Sequence, residues 1–420
     1  MPDATGDSVS VRCCIAGGGP AGIMLGLLLA RAGVSVLVLE KHADFLRDFR
    51  GDTIHPSTLD VMHELGLLDD VLRLPHQEVR ELRAQVGEVA LPIADFTHLP
   101  TRCRFLALMP QWDFLNLLVE RATTRYPAFH RRMRAEVTDL LQESRRVVGV
   151  LATTPNGPLK VHANLVVAAD GRHSVVREKA GLRVKELGAP MDVLWFRLSR
   201  TPGDPTATMG RFDVGQIFIT INRGDYWQCG YVFPKGKVDE IRQRGLLAFR
   251  KAVARLAPYV SDQTHELRDW DDVKLLTVSV DRLSQWYRPG LLCIGDAAHA
   301  MSPIGGVGIN LAIQDAVAAA NLLAAPLRDG RLTIDQLRAV QKRRELPTRI
   351  TQWLQVMIQR RLITPVLAGA RPLKPPLAVR LLARFALLRR IPARLVGIGI
   401  RPEHVRAPLA PAETARRHTG

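Results

Sequence analysis

The sequence predicts an α/β fold: a parallel sheet wound with helices, a mostly antiparallel second sheet interleaved with it, and a helical C-terminal region. Three observations carry this. A strand pattern from Val9 to Ala16 runs into a glycine-rich turn and an apolar helix. A second apolar run, Leu165 to Ala169, ends in Asp170-Gly171, and a third, Leu291 to Ile294, ends in Gly295-Asp296. Open α/β sheets build their ligand crevice from acids and glycines at strand carboxyl ends. Each stretch alone also fits an ordinary buried turn; the three together point to a site.

The first element is the most informative. Gly17-Gly18-Gly19-Pro20-Ala21-Gly22 supplies G-x-G-x-x-G, the run Ile23 to Ala30 has helical length, and Gly33 is a C-terminal stop. Gly17 allows the tight turn, Gly19 lets backbone approach a pyrophosphate, and Gly22 lets the helix pack on the strand. Val34 to Leu39 is a β-branched strand pattern ending in Glu40, 18 residues beyond Gly22. A carboxylate there takes both hydroxyls of an adenosine ribose and disfavours a 2′-phosphate. These residues read as a Rossmann-like dinucleotide site, without separating FAD from NAD. The uncharged run Cys13 to Ala30 contains Gly17-Gly18-Gly19-Pro20, so it reads as strand and helix of a soluble chain and not as a leader or span.

Arg50 lies ten residues past Glu40, where its fork can meet phosphate or ribose; a solvated loop arginine is the plain alternative. His55 precedes Pro56 and so sits in extended backbone, more simply a structural histidine than a ligand-facing one. Thr58 to Val71 has helical spacing, and Val79 to Ile93 alternates like a hairpin edge. The apolar run Phe105 to Met109 leads to Pro110-Gln111-Trp112-Asp113-Phe114-Leu115, the run that follows reads as a helix, and Val137 to Asn164 reads as a meander. Ser174 and Arg177 begin a helix behind Asp170-Gly171.

Between Leu182 and Leu283 the texture is antiparallel: strands over 193–198, 216–221 and 226–233, then a helix over 240–256. This block has no glycine loop, so it is the candidate substrate platform. Trp195, Phe218, Trp227 and Tyr231 are candidates for a pocket wall and equally for core packing. In the third motif a loop with Pro303, Gly305, Gly306 and Gly308 follows Asp296, and Asn310 opens an apolar helix. The carboxylate of Asp296 is suited to ligand hydroxyls, and the loop to aiming backbone N–H groups at an anion or carbonyl. After Asp315 the chain reads as helical to its end, interrupted at Pro347, Pro365, Pro372, Pro375-Pro376 and Pro392.

Composition sets the bounds. With 420 residues, 47% hydrophobic and 24% charged, the chain can bury more than one core and is not disordered. Five cysteines without ligand spacing read as buried thiols in a reducing compartment, with no metal site. The net charge is +17, and from Arg371 onward eleven basic residues face two acidic ones. An anionic cofactor, an acidic substrate or an anionic membrane surface would suit that balance; no nucleic-acid motif is visible. Leu377, Leu381, Leu382, Phe385, Leu387 and Leu388 lie among Arg380, Arg384, Arg389 and Arg390. That pattern fits an interfacial helix in peripheral membrane contact, and more simply a helix packed on the body with snorkelling arginines.

The motifs GGGPAG at 17–22, ADGRHSVVR at 169–177 and GDAAHAMSPIGGVGINLAIQD at 295–315, in this order, resemble the flavoprotein monooxygenases of the para-hydroxybenzoate hydroxylase type, including ubiquinone-biosynthesis and polyketide hydroxylases. The resemblance covers roughly residues 9 to 350. It implies that Gly17, Gly19 and Gly22 hold the FAD pyrophosphate and Glu40 the adenosine ribose, with Arg50 and Gln111 as FAD-contacting side chains. Asp170 and Gly171 would serve FAD and NAD(P)H handling, and Asp296 the ribityl chain. Pro303, Gly305 and Gly306 would face the isoalloxazine, with the backbone through Gly308, Ile309 and Asn310 near its pyrimidine edge. No side-chain base is implied.

The domains expected from this are an FAD-binding unit of 1–75, 100–180 and 283–345, a substrate-binding unit of 76–99 and 181–282, and a helical region of 346–420. The implied activity is a cytoplasmic, FAD-dependent hydroxylase. NADH or NADPH docks transiently, oxygen is used through a flavin C4a-hydroperoxide, and the substrate is an apolar, aromatic or polyketide-like small molecule. A flavin-dependent reductase of an unsaturated or isoprenoid substrate shares the motifs and stands as the alternative, with a non-enzymatic flavin binder as a third reading. A flavin halogenase would need a W-x-W-x-I-P segment, which is missing.

Overall fold

The computed structural model describes residues 7–46, 53–87, 89–205, 208–369 and 377–410. Its central strand, Asp7–Ala16, has parallel neighbours Val36–Glu40 and Gly157–Ala168. Phe129–Met133 extends the sheet on one side and Leu291–Cys293 on the other, both parallel, with Tyr287–Arg288 as an antiparallel edge. The meander expected over 137–164 is the antiparallel run Glu136–Glu143, Arg146–Thr154 and Gly157–Ala168.

Register decides where the chemistry goes. Ala16 pairs with Leu39 and with Ala168, and Ala168 with Cys293. The strand ends are therefore level, and the residues just past them (Gly17, Glu40, Asp170, Asp296) fall along one edge of the sheet. Only the last four residues of Asp7–Ala16 are buried, because helices cover the sheet at this end. One is Pro20–Arg31, nearly all buried; another is Gly308–Arg328, whose long apolar stretch is core.

The second sheet runs Lys274–Leu276, Met191–Ser199, Tyr226–Pro234, Gln216–Asn222, Met209–Asp213, Glu81–Val86 and Val89–Asp95. Every pairing is antiparallel except that of Met209–Asp213 with Glu81–Val86. A small sheet of Thr53–Ile54, Leu106–Leu108 and Gln77–Val79 lies apart from both.

Several elements differ from expectation. The helix over 58–71 is two, Pro56–Glu64 and Leu68–Arg73, broken at Gly66 (φ +66°). That over 240–256 likewise splits into Val238–Gln243 and Leu246–Leu256 at Gly245 (φ +84°). Positive φ is where glycine ends a helix at little cost. Pro347 does not interrupt Ile334–Ile358 but sits buried within it, and the chain is not helical to its end. After Arg390–Gly397 it runs as an extended strap across the parallel-sheet unit. There Arg31 Nη1 donates to Ala407 O at 3.0 Å, and Val405 N to Glu64 Oε2 at 2.7 Å.

One buried ionic cluster ties these parts together. Asp315, fully buried in Gly308–Arg328, accepts from Gly295 N (3.0 Å), His299 Nε2 (2.6 Å) and Arg344 Nε (3.0 Å). Arg344 of Ile334–Ile358 also reaches Glu403 of the strap at 3.4 Å, and Arg343 grips the same carboxylate at 2.6 Å and 3.1 Å. Burial alone would push the Asp315 carboxyl up; His299 and Arg344 outweigh it and hold the carboxyl below its usual range. Removing Arg344 leaves two buried carboxylates without their shared cation. Arg344→Ala should lower stability by about 3–5 kcal/mol in denaturant unfolding, whereas Arg331→Ala, which breaks an exposed pair with Asp329, should leave the midpoint nearly unmoved.

Candidate active site

The crevice begins at the glycine turn. Gly17 has φ +105°, and a Cβ there would stand 2.3 Å from Ala169 O; one on Gly22 would stand 2.0 Å from Gly17 O. Both positions therefore exclude any other residue without moving backbone, while Gly19 faces open space. Gly19 also begins the helix Pro20–Arg31 with no side chain capping its free N–H groups, an arrangement that receives an anion. Glu40, nearly buried, accepts from Gly18 N at 2.8 Å and His42 N at 3.0 Å, so its carboxylate stands against the turn.

Asp170 follows on the next strand. Its Oδ2 accepts from Val176 N at 3.2 Å, whereas Oδ1 is buried without a hydrogen-bond partner. Burial pushes this carboxyl up, partly offset by Ser174 and the Val176 N–H. An orphaned buried oxygen at a strand end is what a ligand hydroxyl or amide would satisfy. Gly171 follows at φ +86°. From the same segment Arg172 Nη2 lies 3.5 Å from Asp296 Oδ2, and Arg177 reaches Ala297 O (3.4 Å) and Asp281 (3.6 Å). The second and third motifs are thus bonded to each other, with Asp296 left a third exposed at the crevice.

Asp296 leads into the loop 300–308. Gln352, Gln355 and Gln359 rise beneath it as a ladder of amides. Gln352 donates to Ala300 O (3.1 Å), Gln355 to Ser302 O and Ile304 O (both 2.9 Å), and Gln359 to Ser302 Oγ (2.9 Å). Ser302 N donates back to Gln355 Oε1 at 3.1 Å. Pro303 starts the turn, and Gly305 and Gly306 take φ +80° and +62°, with Gly306 pressed on Thr53. Asn310 closes the loop. Its Oδ1 accepts from His55 N (2.9 Å) and Thr58 Oγ (2.8 Å), and its Nδ2 donates to Thr53 O (2.9 Å) and Gly306 O (3.2 Å). With that side chain saturated, the backbone from Gly308 through Ile309 is what the loop offers a ligand.

The glutamine ladder and two of Asn310's partners, Thr53 and Thr58, carry no site signal in the sequence. Spacing of 3 and 4 between Gln352, Gln355 and Gln359 marks one helix face, but amides on a helix face normally read as solvent-facing. His55 is structural, as expected: buried, its Nδ1 is 2.7 Å from Val396 O, which ties the loop region to the C-terminal helix. Burial pushes its imidazole down to about 4, against the pull of the Val396 and Gly305 carbonyls, so it is neutral at pH 7. Gln111 begins the helix Gln111–Arg125, after the strand that pairs with Thr53–Ile54; Arg50 lies outside the described residues. All five cysteines are buried and free, and among the described residues no cluster has the make-up of a metal site.

The four platform aromatics do not share a face. Trp195 pairs with Gly230 and lies over it, while Leu194 pairs with Tyr231 and Phe218 with Tyr231, one step out of phase. Phe218, Trp227 and Tyr231 therefore point away from the loop, into a core with Phe249 under Leu246–Leu256. Trp195 points inward with Val193, Ile217 and Val232, and Ile304 of the glycine loop packs into that cluster. Met301, Val307 and Leu311 form a second apolar cluster at the loop.

The residues present fit FAD: a glycine cradle at a helix N-terminus, an acid beside it, an orphaned carboxylate oxygen, a part-exposed acid and a glycine loop with free backbone. Comparison with known proteins agrees. A family profile described as "FAD binding domain" matches residues 10–353. The 6-methylpretetramide 4-monooxygenase of Streptomyces rimosus is 34% identical over 394 residues, covering 93% of this chain and 94% of that protein. The dialkyldecalin synthase of Streptomyces rugosporus is 29% identical over 329 residues, 75% of this chain and 65% of that one. Among solved structures, the anhydrotetracycline hydroxylase of Streptomyces rimosus superposes with a TM-score of 0.72 at 25% identity, over 93% of this chain and 76% of that one.

Asp296→Ala should weaken FAD binding by about 2 kcal/mol in a flavin-fluorescence titration, the scale of one hydrogen bond to a charged group. Glu40→Ala should also weaken it. Unchanged affinity in both variants would mean that FAD does not span this edge.

Proposed function

The chain belongs to the FAD binding domain family, as an FAD-dependent oxidoreductase among flavin-dependent monooxygenases, and on that premise we propose that it is an NAD(P)H-consuming hydroxylase of an apolar, polyketide-like small molecule. The observation that carries this reading is the contact of the loop 300–308, which has no charged residue, with the inner face of the second sheet through Ile304 and Trp195. A substrate held there lies between apolar walls that exclude water from the reacting atoms. The 6-methylpretetramide monooxygenase, aligned along nearly its whole length, supports the polyketide-like class.

The division of labour follows from the elements. Residues 1–75, 100–180 and 283–345 hold FAD, with Glu40 taking the adenosine ribose, the Gly17–Gly22 turn the pyrophosphate, and Asp296 the ribityl hydroxyls. Arg50 and Gln111 add side-chain contacts. Asp170 and Gly171 border the crevice through which a nicotinamide nucleotide docks and leaves, since the single dinucleotide fingerprint is taken. Residues 76–99 and 181–282 hold the substrate, and of the C-terminal region 346–420 it is Gln352, Gln355 and Gln359 that back the loop 300–308. When bound, FAD supplies the redox chemistry, taking hydride and activating molecular oxygen. Pro303, Gly305 and Gly306 would hold the flavin ring, and the Gln352–Gln359 ladder fixes that loop. Five buried free thiols suit a cytoplasmic enzyme.

Heavy-oxygen labelling tests the reaction. Product formed under isotopic oxygen gas should carry one labelled atom, with NAD(P)H consumed in step. Product formed equally well without oxygen would leave a reductase, and product formed without nicotinamide oxidation would leave a non-redox reaction.

A further inference from the structure

The C-terminal helices carry a face that nothing among the described residues covers. Leu377–Arg384 and Arg390–Gly397 both rest on Val89–Asp95, and Gly397 packs closely on Phe96 and Leu99. Their other side is open. Within fifteen residues, Leu377 (69% exposed), Phe385 (52%), Leu387 (68%) and Ile391 (57%) stand in solvent together with Leu381. Isolated exposed apolar residues are ordinary; five within one fifteen-residue segment form a patch. Arg380, Arg384, Arg390 and Arg394 are exposed among them, and from Leu377 to Pro402 there is no acidic residue.

That charge pattern selects the occupant. A second copy of the same face would bring two rows of arginine together with no carboxylate in the stretch to neutralise them. A folded protein partner would need an apolar groove rimmed by acids matched to this row. An anionic lipid surface supplies both components without shape matching: acyl depth for the leucines and Phe385, and headgroup phosphates for the guanidinium groups. We propose that Leu377–Ile391 is a docking surface for an anionic lipid bilayer, on which the enzyme sits peripherally. The face is joined to the glycine loop from within, because Val396 O, one turn along Arg390–Gly397, accepts from His55. The inference does not depend on the hydroxylase reading.

Sedimentation of the FAD-loaded full chain with vesicles tests it. Binding to vesicles carrying phosphatidylglycerol should exceed binding to pure phosphatidylcholine vesicles by at least about tenfold at low salt, and fall as salt rises. The exposed-residue variant Phe385→Ser/Leu387→Ser should lose most of that binding, and Arg380→Gln/Arg384→Gln/Arg390→Gln should lose its salt-sensitive part. Both variants should keep wild-type FAD content and NAD(P)H oxidation in vesicle-free buffer. No sedimentation with anionic vesicles at low salt would overturn the proposal. So would undiminished binding by the serine variant, since the +17 chain would then adhere by net charge alone. A concentration-dependent dimer dispersed by the serine variant, without vesicle binding, would assign the face to a second copy instead.

Discussion

Everything at the crevice depends on the buried carboxylate of Asp315. It holds the backbone of Gly295, the imidazole of His299 and the guanidinium of Arg344 within 3.0 Å, joining the segment 295–299 to the helix Ile334–Ile358. Gly295 begins the turn that presents Asp296. His299 sits where the loop toward Pro303 starts. Arg344 carries the contact to Glu403 and so to the strap. A charge this deep is tolerated only because all its partners are present at once, so loop, helices and strap order together. The buried cluster positions the site without touching a ligand.

The site itself shows the opposite economy. The Asn310 side chain has every polar atom matched, whereas Asp170 Oδ1 is buried and unmatched. An unmatched buried atom costs stability, and this one follows a strand end on the edge that gathers Gly17, Glu40 and Asp296. One unsatisfied carboxylate oxygen beside the glycine turn suits a bound molecule. The apolar side is equally divided: Trp195, Ile304 and Val232 face the loop, while Phe218, Trp227 and Tyr231 keep the sheet's other face closed.

What was legible in the sequence follows from range. The glycine turn, the acid at Glu40 and the strand-ending Asp170 and Asp296 are local patterns whose physics is complete within a few residues. Pairing phase is not local. Trp195 and Tyr231 look alike in sequence, and only the register of Met191–Ser199 against Tyr226–Pro234 sends them to opposite faces. Gln352, Gln355 and Gln359 were equally opaque, because an amide ladder under a loop and a solvated helix face have the same spacing. Pro347 reads as a helix breaker until tertiary packing overrides it, and the strap beyond Gly397 gains its shape from contacts with residues far away in sequence, such as Arg31, Glu64 and Asn321.

The central claim is that three level strand ends and one glycine loop form a single flavin cradle facing the inner side of the second sheet. A crystal structure of the FAD complex tests it most directly. The account predicts adenosine at Glu40, the ribityl chain at Asp296, and the flavin ring against Pro303–Gly306 with Trp195 beyond it. FAD density with the ring turned to solvent, or with Asp296 out of contact, would contradict it.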